Sequence, residues 1–252
     1  MKFQEIRSHL EGIPYMEPNR ARTLYEFIIE NRIADCLELG FAHGVSSCYI
    51  AAALDELGTG HLTSVDLIAA AEWQKPSIEE LLNQTGLGQY VTVAREQTSY
   101  TWFLKKKIEE NSKDGNCDRV YDFCFIDGPK NWTIDGCAFF LVDKLLRQDG
   151  WILFDDLNWK YSQFDNEVMD GISLRTMGED ELNSPHIELV FRLLVMQHPE
   201  YSHFKIQDNT WAWAQKMTSL TKQVLYESTD QPDIQQQPLL IRLIRKLLKN
   251  KG

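Results

Sequence analysis

The sequence predicts an α/β protein with a mostly parallel seven-stranded sheet, helices on both faces and a C-terminal antiparallel hairpin. Three observations carry the prediction. First, the apolar run Asp35–Leu39 passes through Gly40 and Gly44 into an Ala-rich segment, and a second run, His61–Asp66, ends on an acid about 20 residues further on. That order is the opening half of a nucleotide-binding sheet. Second, apolar runs and helical periods alternate as far as Asp156, and the later runs are near-continuous, as in strands buried on both faces. Third, His203–Gln207 and Thr210–Gln215 flank the turn pair Asp208-Asn209 and read as a hairpin.

In chain order, residues 1–33 read as a helical lid of two short helices, broken at Gly12-Ile13-Pro14 and Glu17-Pro18. The second runs from Asn19, an N-cap, to Asn31 and places Ala21, Leu24, Tyr25, Phe27 and Ile28 close to helical spacing. Residues 34–216 form the main domain. Strand one spans 35–39; a helix over 44–57 stops at Gly58-Thr59-Gly60, and strand two spans 61–66. A helix within 67–88, strand three at 90–94, a helix at 98–110 and strand four at 121–127 follow. A helix over 133–147 then turns at Gln148-Asp149-Gly150 into strand five, 151–156.

Residues 157–184 are polar and irregular and read as a cap. Its Trp159, Tyr161, Phe164 and Met169 suit a sugar face or a flat ring, and equally a small satellite core. A helix over 185–197 precedes the hairpin. The tail, 217–252, holds a polar stretch at 231–237 and an amphipathic basic helix at 239–249. That helix packs on its own domain or on a partner subunit; weak contact with an anionic membrane surface is the other reading.

Composition narrows the function classes. A hydrophobic fraction of 43% over 252 residues supports a large core without disulfides or structural metal. A net charge of -11 argues against a chain that coats nucleic acid. The cysteines Cys36, Cys48, Cys117, Cys124 and Cys137 include no CxxC pair and read as reduced thiols. With no apolar signal core and no membrane-length run, the expected location is the cytoplasm. No Ser-His-Asp order, HExxH or Walker pattern is present, and His43 and His186 read as structural histidines, with a place facing the substrate as the other reading.

The turn after strand one is not a dinucleotide turn. A G-x-G-x-x-G frame started at Gly40 meets Ala42 and Val45 where two glycines belong, which disfavours a nicotinamide-dependent dehydrogenase. Glu38-Leu39-Gly40-Phe41-Ala42-His43-Gly44 instead resembles the first motif of the class I S-adenosylmethionine-dependent methyltransferases: an acid, any residue, then spaced glycines. The resemblance covers residues 13–216 and implies a Rossmann-like methyltransferase fold that binds S-adenosylmethionine. It places Gly40 and Gly44 against the cofactor, Glu38 on its amino-acid end and Asp66 on the ribose hydroxyls. Glu96, Gln97 and Thr98 fall where the adenine is met, and Asp127 is counted with the cofactor set too.

Strand four ends at Asp127-Gly128-Pro129-Lys130 and strand five at Asp155-Asp156-Leu157-Asn158, at the strand ends where open α/β sheets bind ligands. Three acids so close repel one another unless a cation or proton intervenes. Hard oxygen donors suit Mg²⁺ or Mn²⁺, with Asp127, Asp155 and Asp156 as candidate ligands. Such an ion lowers the pKa of a bound hydroxyl. The pattern resembles two kinds of metal-dependent O-methyltransferase. Asp127, Lys130 and Asp156 match the catechol type, with Leu157 in place of its Asn. Asp127-Gly128 and the Asp155-Asp156 pair match the type acting on antibiotic sugars, with Pro129 where a basic acid often stands.

The resemblance implies methyl transfer to a hydroxyl of a small molecule, assisted by a divalent metal, with Lys130 as general base or substrate-oxygen contact and Asp127 beside it. A metal-independent methyltransferase and a non-catalytic cofactor-binding protein are the alternatives. A homo-oligomer stays open.

Overall fold

The computed structural model describes residues 1–169, 171–217 and 221–228; the basic helix expected at 239–249 lies outside them. Eight strands form one sheet: β1 (Asp35–Leu39), β2 (His61–Leu67), β3 (Val91–Glu96), β4 (Tyr121–Ile126), β5 (Leu146–Phe154), β6 (Tyr201–Gln207), β7 (Trp211–Lys216) and β8 (Gln223–Glu227). Their order is β8-β6-β7-β5-β4-β1-β2-β3. β1 pairs in parallel with both β2 and β4, so the winding reverses at its carboxyl end, where ligands bind such sheets. β7 lies antiparallel between β5 and β6, closing the expected hairpin.

Two boundaries differ from expectation. β5 begins at Leu146, because that residue pairs with Tyr121 before a register shift absorbs the Gln148-Asp149-Gly150 turn. The sheet also has eight strands rather than seven. β8 falls in the stretch expected to begin the tail and pairs in parallel with β6 over His203–Gln207, covering an edge that would otherwise be open.

The helices are α1 (Phe3–Leu10), α2 (Pro18–Glu30), α3 (Val45–Leu57), α4 (Ile78–Thr85), α5 (Tyr100–Glu110), α6 (Trp132–Leu145), α7 (Glu179–Asn183) and α8 (His186–Val190). One apolar layer joins α1 to α4 with Phe123, Phe125, Leu153, Trp211 and Trp213 of the sheet. The opposite layer joins α5, α6 and α8 with Cys124, Ile126, Ile152 and Phe154. Alternation along β4 and β5 thus feeds both layers. α3 is apolar on nearly every side because the sheet and the other helices of its layer enclose it. Each large side chain fully buried here contributes about 1.5–3 kcal/mol of transfer free energy.

Ile6, Leu24 and Ile28 are fully buried, so α1 and α2 belong to the core. What reaches over the sheet edge is their connection, which carries the exposed Tyr15. The cap after β5 consists of short turns, an antiparallel pairing of Val168–Met169 with Ile172–Ser173, and α7. His186 is structural: its Nδ1 accepts the Trp132 N–H at 3.0 Å and its Nε2 lies 2.9 Å from the Glu181 carbonyl.

Candidate active site at the carboxyl edge of the sheet

The glycine turn forms the first half of the site. Gly40 and Gly44 have φ of +89° and +90°, and Ala42 between them is also left-handed at +47°. A Cβ at Gly40 would run into the Asp127 carbonyl, and one at Gly44 into Ile78. Gly40 is therefore required by the neighbouring strand end, whatever ligand lies beside it. Its closeness also joins this turn to β4, where the Asp127 N–H donates to the Leu39 carbonyl at 2.8 Å.

Glu38 faces inward. It is fully buried, and the hydroxyls of Ser46, Ser47 and Ser64 all donate to its carboxylate. Burial pushes its pKa up, and the three hydroxyls oppose that shift. The acid assigned by resemblance to the cofactor's amino-acid end thus supports the turn from beneath. Asp66 behaves similarly. Its Oδ2 accepts the Phe41 and Ala42 N–H groups at 3.2 and 3.0 Å and Gln74 Nε2 at 3.0 Å. Among the described residues its Oδ1 takes only the Leu67 N–H, at 2.7 Å. Burial raises its pKa too, against those hydrogen bonds. Gln97 and Thr98 are exposed just beyond β3, and Glu96 is buried and paired with Lys106.

The second half is the acid cluster. One carboxylate oxygen from each of Asp127, Asp155 and Asp156 lies within 4.8 Å of the others. Carboxylate oxygens are the hard donors that an ion such as Mg²⁺ takes, and these three would have to draw closer together to coordinate one. Lys130 stands among them: its ammonium donates to Asp127 and lies 3.6 Å from Asp156. Lys130 and Asp156 both hold positive φ, +57° and +56°, as chain that turns sharply at a strand end does. Burial alone would lower the Lys130 pKa, but the charges of Asp127, Asp156 and Asp155 outweigh it and push the pKa up. The lysine expected as a base is therefore held here as an ammonium ion.

Two features of this half, Arg20 and the Tyr100–Asp135 pair behind Gly128, were not singled out in the sequence. Arg20, on the first turn of α2, lies 3.5 Å from Asp155 and over the Trp211 ring at 5.9 Å from its centroid. No local pattern marks it, since 135 positions separate Arg20 from Asp155. Gly128 is needed because a side chain there would strike the Tyr100 ring. Tyr100 in turn donates to Asp135, whose Oδ2 accepts the Asn131 N–H at 2.6 Å. Burial raises Asp135 to about 6 despite these bonds. The sequence does offer one signal, the acid in the first turn of α6 behind its N-cap Asn131.

The cap is tied to the same loop. Tyr161 donates to the Pro129 carbonyl at 3.0 Å and receives Asn131 Nδ2 at 3.3 Å. Trp159 stacks on Phe164 and meets Tyr161 edge-on. A cleft of about 210 Å³ opens between Tyr161, Phe164, Leu174 and Leu182. On the other flank, Tyr15, His43 and Trp73 pack ring against ring over the glycine turn.

Residues 37–157 match a family model described as a methyltransferase domain. No curated protein matches the chain. A putative caffeoyl-CoA O-methyltransferase from Staphylococcus aureus superposes with a TM-score of 0.59 at 19% identity, covering 86% of this chain and 92% of that one. An O-methyltransferase from Streptomyces achromogenes involved in tomaymycin synthesis, solved with S-adenosylmethionine, gives 0.56 at 13% identity over 85% and 89%. A Bacillus cereus O-methyltransferase, solved with S-adenosylhomocysteine, gives 0.56 at 17% over 84% and 87%. Identities this low establish a shared fold. Residues 37–157 thus match a methyltransferase domain, and the chain has the Rossmann-like methyltransferase fold.

Proposed function

We propose that the protein transfers a methyl group from S-adenosylmethionine to a hydroxyl of a small molecule, with a divalent ion held by Asp127, Asp155 and Asp156. One observation carries this reading: the glycine turn and the acid cluster share one edge, with Gly40 packed directly on the Asp127 carbonyl. Methyl transfer is an in-line displacement, so it needs a donor site and a nucleophile site in contact. The solved O-methyltransferases of the same fold support the choice of chemistry.

The turn and Asp66 receive the donor. Asp66 Oδ1, with one amide on it, has capacity for a ribose hydroxyl, and Gln97 and Thr98 border the adenine side. A bound ion would supply Lewis acidity to the acceptor hydroxyl. The acceptor hydroxyl would pass its proton to the partly exposed Asp156 carboxylate and on to solvent, while the Lys130 ammonium, held by Asp127, stabilises the developing oxyanion. Lys130 becomes a base only where those acids release it. The aromatic cap, tied to the Pro129 carbonyl through Tyr161, offers the acceptor an apolar wall. Among the described residues no helix is long and apolar enough to cross a membrane. The cysteines are free, in keeping with the reducing cytoplasm.

A second reading has a specific observation behind it. Lys130 already binds two of the three candidate ligands, which suits a metal-independent transfer with the lysine as the only cation at the acceptor oxygen. Calorimetric titration with S-adenosylhomocysteine, with and without Mg²⁺, tests the donor site. Transfer of labelled methyl to sugar, catechol and hydroxy-acid acceptors, repeated in chelator, separates the two readings. Absence of S-adenosylhomocysteine binding at millimolar concentration would overturn both.

A further inference from the structure

We propose that Lys130 and Arg20 are resident cations of the three-carboxylate site, and that a divalent ion binds there by exchange with the Lys130 ammonium. The inference rests on the metal-assisted reading above. It concerns what these two side chains do to the ion's affinity, which that reading leaves open.

Every candidate ligand already has a cation from the chain. Lys130 donates to Asp127 and lies 3.6 Å from Asp156; Arg20 lies 3.5 Å from Asp155. Three carboxylates against these two cations leave one net negative charge. A divalent ion added to that set would leave a net positive charge in a partly buried site. With Lys130 withdrawn, three carboxylates, Arg20 and the ion sum to zero. Uncompensated charge away from water is costly, so the neutral combination is favoured.

The two cations also differ in their freedom to leave. Lys130 has a flexible four-carbon stem, and one of its two partners, Asp156, has a side chain 37% exposed. Arg20 is held over Trp211 and grows from the first turn of α2, behind the helix-starting Pro18. Asp155, its partner, is 7% exposed and also accepts the Asp156 N–H at 2.7 Å. Arg20 therefore stays with Asp155, and Lys130 is the cation that is exchanged.

The test is Mn²⁺ binding by calorimetry to the full chain, independent of turnover. Lys130→Met is expected to bind Mn²⁺ about tenfold or more tightly than the parent, because a competing charge at contact distance is gone. Lys130→Arg, which keeps the charge, is expected to show no tightening. Arg20→Met is expected to gain less than Lys130→Met, and its partly exposed side chain carries the test if Lys130→Met loses its fold in a thermal melt. Asp127→Asn assigns the heat to this site by removing it. Mn²⁺ binding no tighter in Lys130→Met and Arg20→Met than in the parent overturns the exchange. S-adenosylhomocysteine binding on the same samples keeps the outcomes apart: retained binding leaves the donor reading intact, and its absence overturns that reading instead.

Discussion

The two halves of the site neutralise their acids in opposite ways. On the donor side, Glu38 and Asp66 are solvated by neutral dipoles: serine hydroxyls for one, backbone N–H groups and Gln74 for the other. On the acceptor side, Asp127, Asp155 and Asp156 are met by the long cationic side chains of Lys130 and Arg20. Backbone amides and short hydroxyl side chains have little freedom to leave, so the donor turn is set before any ligand arrives. Lysine and arginine carry several rotatable bonds, and their pairings can be traded for a ligand's. One half is a fixed mould; the other is exchangeable.

Substitutions sharpen that contrast, beginning with the largest effect. Asp127→Asn removes the acid that holds Lys130 and takes part in the candidate metal set. Methyl transfer is expected to fall about a thousandfold, while S-adenosylhomocysteine affinity, read by calorimetry, changes by less than about threefold. A comparable loss of donor binding would show that the halves are not separable.

Gly40→Ala tests the fixed half. It places a Cβ against the Asp127 carbonyl at a left-handed φ. A loss of about 3 kcal/mol in urea-unfolding stability is expected. Stability within about 0.5 kcal/mol of the parent would mean that the turn is more compliant than its geometry implies.

Asp135 supplies a pH test beneath the acceptor loop. Its carboxyl is raised from 3.8 to about 6 in the folded protein. Between those values the native state binds more protons than the unfolded chain, so stability falls as pH rises through the window and the loss is complete above it. Asp135→Asn removes that slope. The fall in unfolding free energy from about pH 4 to 7 is expected to shrink by up to about 3 kcal/mol. An unchanged slope would place the titration elsewhere.

Glu38→Gln is expected to have the smallest effect, about 1 kcal/mol of stability in either direction. It relieves the burial of a charge but gives one hydroxyl partner a donor where it met an acceptor. Donor affinity should stay within about threefold, because the side chain lies beneath the turn. A large loss of S-adenosylhomocysteine binding would return Glu38 to direct cofactor contact.

Much of this architecture was legible in the chain. β1, β2 and β4 appear within about a residue of the apolar runs that mark them, because buried parallel strands need such runs and end where glycine or acid interrupts them. β8 was not legible. Gln223–Glu227 is short and exposed throughout, and only the unpaired side of β6 makes it a strand. The core role of α1 and α2 was half visible, since spacing announces an amphipathic helix but not the surface it covers. At the site, Asp127, Lys130, Asp155 and Asp156 stood out because each sits next to a strand end. The partners of Glu38 and Asp66 did not, since hydrogen-bond direction is not written in motif spacing.

The sequence by itself determined the turn, the strand ends and the acids on them, because φ preference, apolar period and strand termination are local properties. Only the tertiary structure decided how each acid is neutralised. Ser64 reaches Glu38 from the next strand, and Arg20 reaches Asp155 across most of the chain. Such pairings depend on which elements the folded core brings together, and the chain order of the residues does not encode them.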